Sequence, residues 1–140
     1  AIKSANEGLA FDQMDLPEKP ISCASEVVRR MGGSDEQMVM VAGFAGGLGL
    51  SGDGCGALAA AVWMNTLSRI RTQSFKYSLS DTELDKTVKV FYENTDYEME
   101  CSKICGQHFT TIEEHTEFIK NGGCSKLIQI LAHTAIESVD

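Results

Sequence analysis

Ala57-Leu-Ala-Ala-Ala-Val-Trp-Met64 is apolar at every position, and Leu67 and Ile70 carry the pattern further. Such a run predicts a helix buried nearly all round, the central helix of a bundle. Just before it, Gly43 to Gly56 holds seven glycines and reads as a loop. Ser34 with Gln37 three residues later is a capping-box pattern, so a helix is expected from Asp35 to about Phe44. Earlier still, Ala24, Val27, Val28 and Met31 recur at helical spacing until Gly32-Gly33 stops them. After the central helix, residues 72–79 form a connection. Ser80-Asp-Thr-Glu83 then predicts a capped helix with Leu84, Val88 and Phe91 or Tyr92 on one face. A short helix from Glu98 to Cys105 is expected to end at Gly106. Thr110 or Thr111 caps the next, Asn121-Gly122-Gly123 closes it, and a last helix runs from about Cys124 to Val139. No segment alternates polar and apolar long enough for a half-buried strand. The expected class is all-α: a compact bundle of about six or seven short helices, with the glycine-rich loop between the second and third.

A chain of 140 residues, 43% hydrophobic and 23% charged, fits one globular domain and excludes wholesale disorder or a fibre. Pro17 and Pro20 end an extended N-terminal arm over residues 1–20, and residues 21–140 make the single domain. The net charge of −8 disfavours nucleic acid and acidic lipid surfaces as partners. Glycines, Ser51 and Asp53 interrupt the apolar stretch from Val39 to Met64, so no membrane span is expected. The first twenty residues hold four acids and no basic segment ahead of an apolar core, so no signal peptide is visible and a cytoplasmic location is expected.

Five cysteines are too few, and too odd in number, for a disulfide scaffold. Cys23, Cys55 and Cys124 each fall at a predicted helix start, where exposed N–H groups and the helix dipole lower a thiol pKa. Cys101 and Cys105 are one turn apart on one face, close to the helix end at Gly106. Five thiols at helix ends are positioned to converge. Against this stands the plainer reading that free cysteines act as small buried hydrophobes. The gaps of 32, 46, 4 and 19 residues match neither zinc knuckles nor a ferredoxin run, and there is no Cys-x-x-Cys.

The glycine loop is not a phosphate loop, because no strand precedes it, no Gly-Lys-Ser/Thr follows it, and Asp53 would repel an anion. Its glycines instead let backbone pass close to a cofactor or another helix, and let N–H groups point at sulfur. His108, His115 and His133 read as surface or satisfied core side chains, Trp63 as core packing, and Glu113 and Glu114 as a solvated helix start.

Over residues 21–139 these motifs resemble the C_GCAxxG_C_C family of redox-active proteins. Ile21-Ser-Cys23-Ala-Ser-Glu-Val-Val is similar to its first cysteine helix. Phe44-Ala-Gly-Gly-Leu-Gly with Gly54-Cys55-Gly-Ala-Leu is similar to its glycine loop and second cysteine. Cys101-Ser-Lys-Ile-Cys-Gly106 resembles the third cysteine segment, and Gly123-Cys124-Ser-Lys-Leu-Ile the fourth. Cys105 stands where the family commonly has an aliphatic residue, Ala60 where its motif ends in glycine, and Ala45 where its loop has one. The N-terminal arm also differs from the family's usual leading helix.

The resemblance implies a redox role, and a related domain accompanies haem with an iron–sulfur centre in split-Soret cytochrome c. It implies Cys23, Cys55, Cys101 and Cys124 as metal ligands for an iron–sulfur cluster, with Gly46, Gly47, Gly49, Gly54 and Gly56 against the cofactor and Cys105 as an extra thiol. The expected activity is electron transfer to a redox partner protein rather than substrate conversion, with a homodimer left open. Two alternatives stand beside it: a cofactor-free thiol–disulfide protein, and a non-catalytic, metal-stabilised binding module.

Overall fold

The computed structural model describes residues 19–72 and 82–135, which form seven α-helices, one 3₁₀ turn and no strand. The helices are α1 (Cys23–Arg30), α2 (Asp35–Met40), α3 (Gly56–Thr72), α4 (Thr82–Glu93), α5 (Cys101–Cys105), α6 (Ile112–Lys120) and α7 (Ser125–Ala132); the 3₁₀ turn spans Ala42–Phe44. The all-α class is as expected. Nearly all of the N-terminal arm and the Ser80 cap lie outside the described residues. The last helix ends at Ala132 rather than about Val139, the N–H groups of His133 and Thr134 donating to the Gln129 and Leu131 carbonyls in a closing turn.

Helix α3 is central, packing against α1, α4 and α7. Its Ala57, Leu58, Ala60, Ala61 and Met64 are buried, whereas Ala59, Val62, Trp63 and Thr66 are half-buried along an open cleft and Ile70 at the far end is 54% exposed, so the helix is buried on one face rather than all round. Ala24, Val27 and Val28 of α1 are fully buried against it, and each valine contributes roughly 1.5–3 kcal/mol by leaving water. Asn65 of α3 is buried too, and its side-chain N–H group donates to Thr87 of α4 (3.1 Å) and to Thr134 beyond α7 (3.2 Å). Three elements are thereby tied by one polar knot. No helix among the described residues is long and apolar enough to cross a membrane.

The helix ends follow local chemistry. Ser34 and Gln37 form the expected reciprocal capping box, with N–H···O distances of 3.1 and 2.9 Å. Ser22 and Ser25 form another at α1, the second serine serving where glutamate or glutamine is usual. Both Gly-Gly pairs close their helices in the same way. Gly32 and Gly33 donate to the Arg29 and Val28 carbonyls, and Gly122 and Gly123 to those of Ile119 and Phe118, with the first glycine of each pair at positive φ.

Three other expected boundaries shift. Helix α2 ends at Met40 rather than Phe44, because the chain tightens into the 3₁₀ turn as it enters the glycine loop. Helix α5 begins at Cys101 rather than Glu98: the Glu98 carboxylate accepts the N–H groups of Met99 and Glu100 and holds this approach extended. Helix α7 begins at Ser125, because Cys124 itself turns into the left-handed region at φ +58°.

Candidate functional site: a convergence of five cysteines

Four of the cysteines stand at the start of a helix and the fifth at the end of one. Cys23 opens α1, Cys55 directly precedes α3, Cys101 opens α5, Cys124 caps α7, and Cys105 closes α5. The glycine loop brings these ends together. Its own carbonyls accept many of its N–H groups: Leu48 donates to Phe44, Gly49 to Gly43, Gly52 to Gly46 and Asp53 to Gly47. The knitted loop then clamps the approach to α5. Cys55 N–H donates to the Met99 carbonyl (3.2 Å), Cys101 N–H to that of Asp53 (2.6 Å) and Ser102 N–H to that of Gly52 (3.1 Å), around a single antiparallel bridge between Gly54 and Glu100.

All five cysteines are free. Cys23, Cys55 and Cys101 are buried, while Cys105 and Cys124 are half-buried. The Sγ atoms of Cys105 and Cys124 are 3.6 Å apart and those of Cys101 and Cys105 are 3.9 Å apart. Cys23 lies within electrostatic reach of Cys55, Cys101 and Cys105, and Cys55 of Cys101 and Cys105, so the five form one connected group. Cys23, Cys55 and Cys101 are therefore neighbours of one another, and Cys124 joins them through Cys105.

Burial reverses the expected effect of the helix starts. Desolvation first, and the Cys55 sulfur second, push the Cys23 thiol up to about 12, although the Gly46 N–H pointing at it acts the other way. Desolvation also raises Cys55, against the N–H groups of Leu58 and Ala57 in the first turn of α3. The adjacent Cys105 and then burial raise Cys101. At Cys105 the Cys101 contact lowers the thiol, but the Cys124 contact, burial and neighbouring sulfurs outweigh it and carry it to about 12. The groups that shift these thiols are other sulfurs and backbone N–H groups, so each negative charge placed here is unfavourable to the next.

The glycines divide by role. Gly46 offers the N–H to Cys23. Gly47, at φ +79°, is pressed on Cys101: a Cβ built there would lie 2.7 Å from the Cys101 Cβ and 2.5 Å from the Asp53 nitrogen. A Cβ at Gly56 would strike the Phe44 carbonyl, so that glycine admits a backbone crossing. Gly49 faces open space, and a methyl at Gly54 would make only ordinary contact with Leu48. The structure thus ties Gly46 and Gly47 directly to cysteines.

The histidines part company. His108 donates its Nε2–H to the Leu50 carbonyl of the loop (2.7 Å), and His133 turns back on its own helix at the Gln129 carbonyl. His115 is buried, and its Nε2 accepts the Cys23 N–H at 3.1 Å, while its Nδ1 has no partner among the described residues. It therefore props the first residue of α1 across 92 positions of sequence. The one sequence signal for its burial is its place on the stripe His115, Phe118, Ile119 of α6. Trp63 is half-buried and, with Phe44, Leu48, Leu58 and Met99, lines an apolar cleft of about 510 Å³ whose wall includes Cys55. A second cavity, about 700 Å³, is lined by Cys105 and Cys124 with Lys103, Ile104, Phe118 and Lys126.

Among the described residues no three His, Cys, Asp or Glu side chains stand ready as a metal-holding group. The donor set itself suits a soft metal centre in type and number: thiols only, at least four of them, with backbone N–H groups of Gly46, Ala57 and Leu58 directed at sulfur.

Fold and site together define a small helical protein whose chemistry is that of clustered thiols. Residues 21–138 match the family described as "Putative redox-active protein (C_GCAxxG_C_C)", and the chain belongs to that family. Comparison with curated proteins and with solved structures gave no match.

Proposed function

We propose that the five-cysteine centre holds an iron–sulfur cluster on Cys23, Cys55, Cys101 and Cys124 and serves electron transfer to a redox partner protein. The observation that carries the reading is the crowding of buried and half-buried thiols: four of them have raised pKa values, driven by burial and by one another. Four thiols that resist ionisation in the empty form are ones whose negative charges a bound cation would offset. When bound, a cluster supplies one-electron chemistry at a potential set by burial and by hydrogen bonds to sulfur. In this chain Gly46 N–H toward Cys23, and the Ala57 and Leu58 N–H groups toward Cys55, provide such bonds. His115 holds the backbone of Cys23 in place.

Protein purified without oxygen is expected to be brown and to contain iron and acid-labile sulfide. Serine at any of the four ligands should remove or severely weaken the cluster, and Cys105→Ser should leave it bound. Colourless protein that also resists reconstitution with iron and sulfide overturns the cluster reading, while the family's redox assignment stands apart from that result.

A further inference from the structure

We propose that Cys105 and Cys124 form a thiol–disulfide exchange pair that accepts a low-molecular-mass organic disulfide from the cavity they line. The proposal concerns the metal-free protein, because Cys124 cannot hold the cluster proposed above and attack a disulfide at the same time. Cys105 and Cys124 are the two half-buried cysteines of the five, and both line the cavity of about 700 Å³. Cys23, Cys55 and Cys101 are buried and do not line it. The Sγ atoms of the pair are 3.6 Å apart and must close to about 2.05 Å.

The surrounding chain makes that closure easier here than for the neighbouring pair. Cys105 is the last residue of α5, followed by Gly106 at φ +73°, and Cys124 follows the Gly122-Gly123 turn. Both therefore sit at element ends. Cys101 and Cys105, 3.9 Å apart at sulfur, occupy positions i and i+4 of one helical turn. Such residues have Cβ atoms about 5–6 Å apart, whereas a disulfide requires about 3.5–4.5 Å, so that bond would have to unwind α5. Cys124 also takes a left-handed backbone without being glycine, an unfavourable conformation of the kind found at functional positions.

The chemistry balances with the organic disulfide as oxidant. The Cys124 sulfur, giving up its proton, attacks one sulfur of a disulfide RSSR held in the cavity. The S–S bond of RSSR breaks, a mixed disulfide forms on Cys124, and one thiol RSH leaves with a proton. Cys105 then attacks the Cys124 sulfur, forming the Cys105–Cys124 bond and expelling the second RSH. Two protein thiols are oxidised, and one disulfide is reduced to two thiols.

The test uses reduced, metal-free full-length protein and glutathione disulfide, read by intact mass, thiol count and tryptic mapping. Lys103 and Lys120 place Cys101, Cys105 and Cys124 on three separate tryptic peptides, so each linkage is identified without ambiguity. Wild type should lose two thiols without retaining glutathione and give one linked pair of peptides, 104–120 with 121–126, that dithiothreitol reverses. Cys105→Ser should stop at one added glutathione on Cys124, and Cys101→Ser should still form the pair. Mapping of the wild type decides the question even where a variant does not fold. A crosslink through any other pair, or five thiols persisting under conditions that oxidise a free dithiol, overturns the proposal. Neither result bears on iron content, which the cluster experiment measures separately.

Discussion

Gly47 and Gly49 offer a matched comparison for the contact between loop and centre. Both have left-handed backbones, at φ +79° and +65°. Alanine there costs about 1–2 kcal/mol in an L-residue's left-handed conformation. A stiffer unfolded chain returns about 0.4–1 kcal/mol of that. Gly49→Ala meets nothing within 4 Å and should therefore destabilise by about 0–1.6 kcal/mol. Gly47→Ala carries the same backbone penalty, and its methyl also falls 2.5 Å from the Asp53 nitrogen, 2.7 Å from the Cys101 Cβ and 2.7 Å from the Gly52 carbonyl carbon. Two of those three atoms are backbone and cannot swing aside, so overpacking should add about 1–3 kcal/mol. Urea unfolding of the two variants beside wild type reads the difference as a displacement of the midpoint. Equal midpoints for the two variants would refute the claim that the loop is pressed on Cys101.

Two further outcomes follow. Cys124→Gly should be more stable than Cys124→Ser by about 1 kcal/mol, because both lose the thiol but glycine alone relieves the φ of +58°; thermal melts of the pair check this. Metal-free protein should lose stability at alkaline pH. Cys23 has a folded pKa raised from the usual 9.0 to about 12, so its contribution is present below pH 9 and is lost as pH rises from 9 toward 12. Wild type should then fall relative to Cys23→Ala by at most about 1.4 kcal/mol per pH unit across that window, and parallel stability curves for the two would contradict it.

Most of the helices were legible because their ends are written locally. Ser34 with Gln37, Thr111 ahead of Glu114, and the two Gly-Gly pairs act within five residues of themselves and need no tertiary information. The Ser22–Ser25 box was missed because serine at the third position is not a usual partner, and the break at Met40 because a 3₁₀ turn has no clear residue signature. At the site, the pattern of cysteines at helix ends anticipated their convergence, yet the inferred thiolate character did not follow. The helix-start effect is local, and the burial that overrides it is set by how α1, α3 and the loop pack. His115 was out of reach for the same reason: its partner is 92 residues away.

The clamp between the glycine loop and the approach to α5 bears on the order in which the chain assembles its sulfurs. Bringing Cys55 to Cys101 closes a loop of 46 residues, whereas Cys105 meets Cys124 across 19. The shorter closure is favoured by about 0.8 kcal/mol of chain entropy, so an unfolded chain brings Cys105 and Cys124 together about four times as often as Cys55 and Cys101. The half-buried pair of the centre is thus also the pair that meets more readily before the backbone bonds of Cys55 to Met99 and Cys101 to Asp53 close the longer ring.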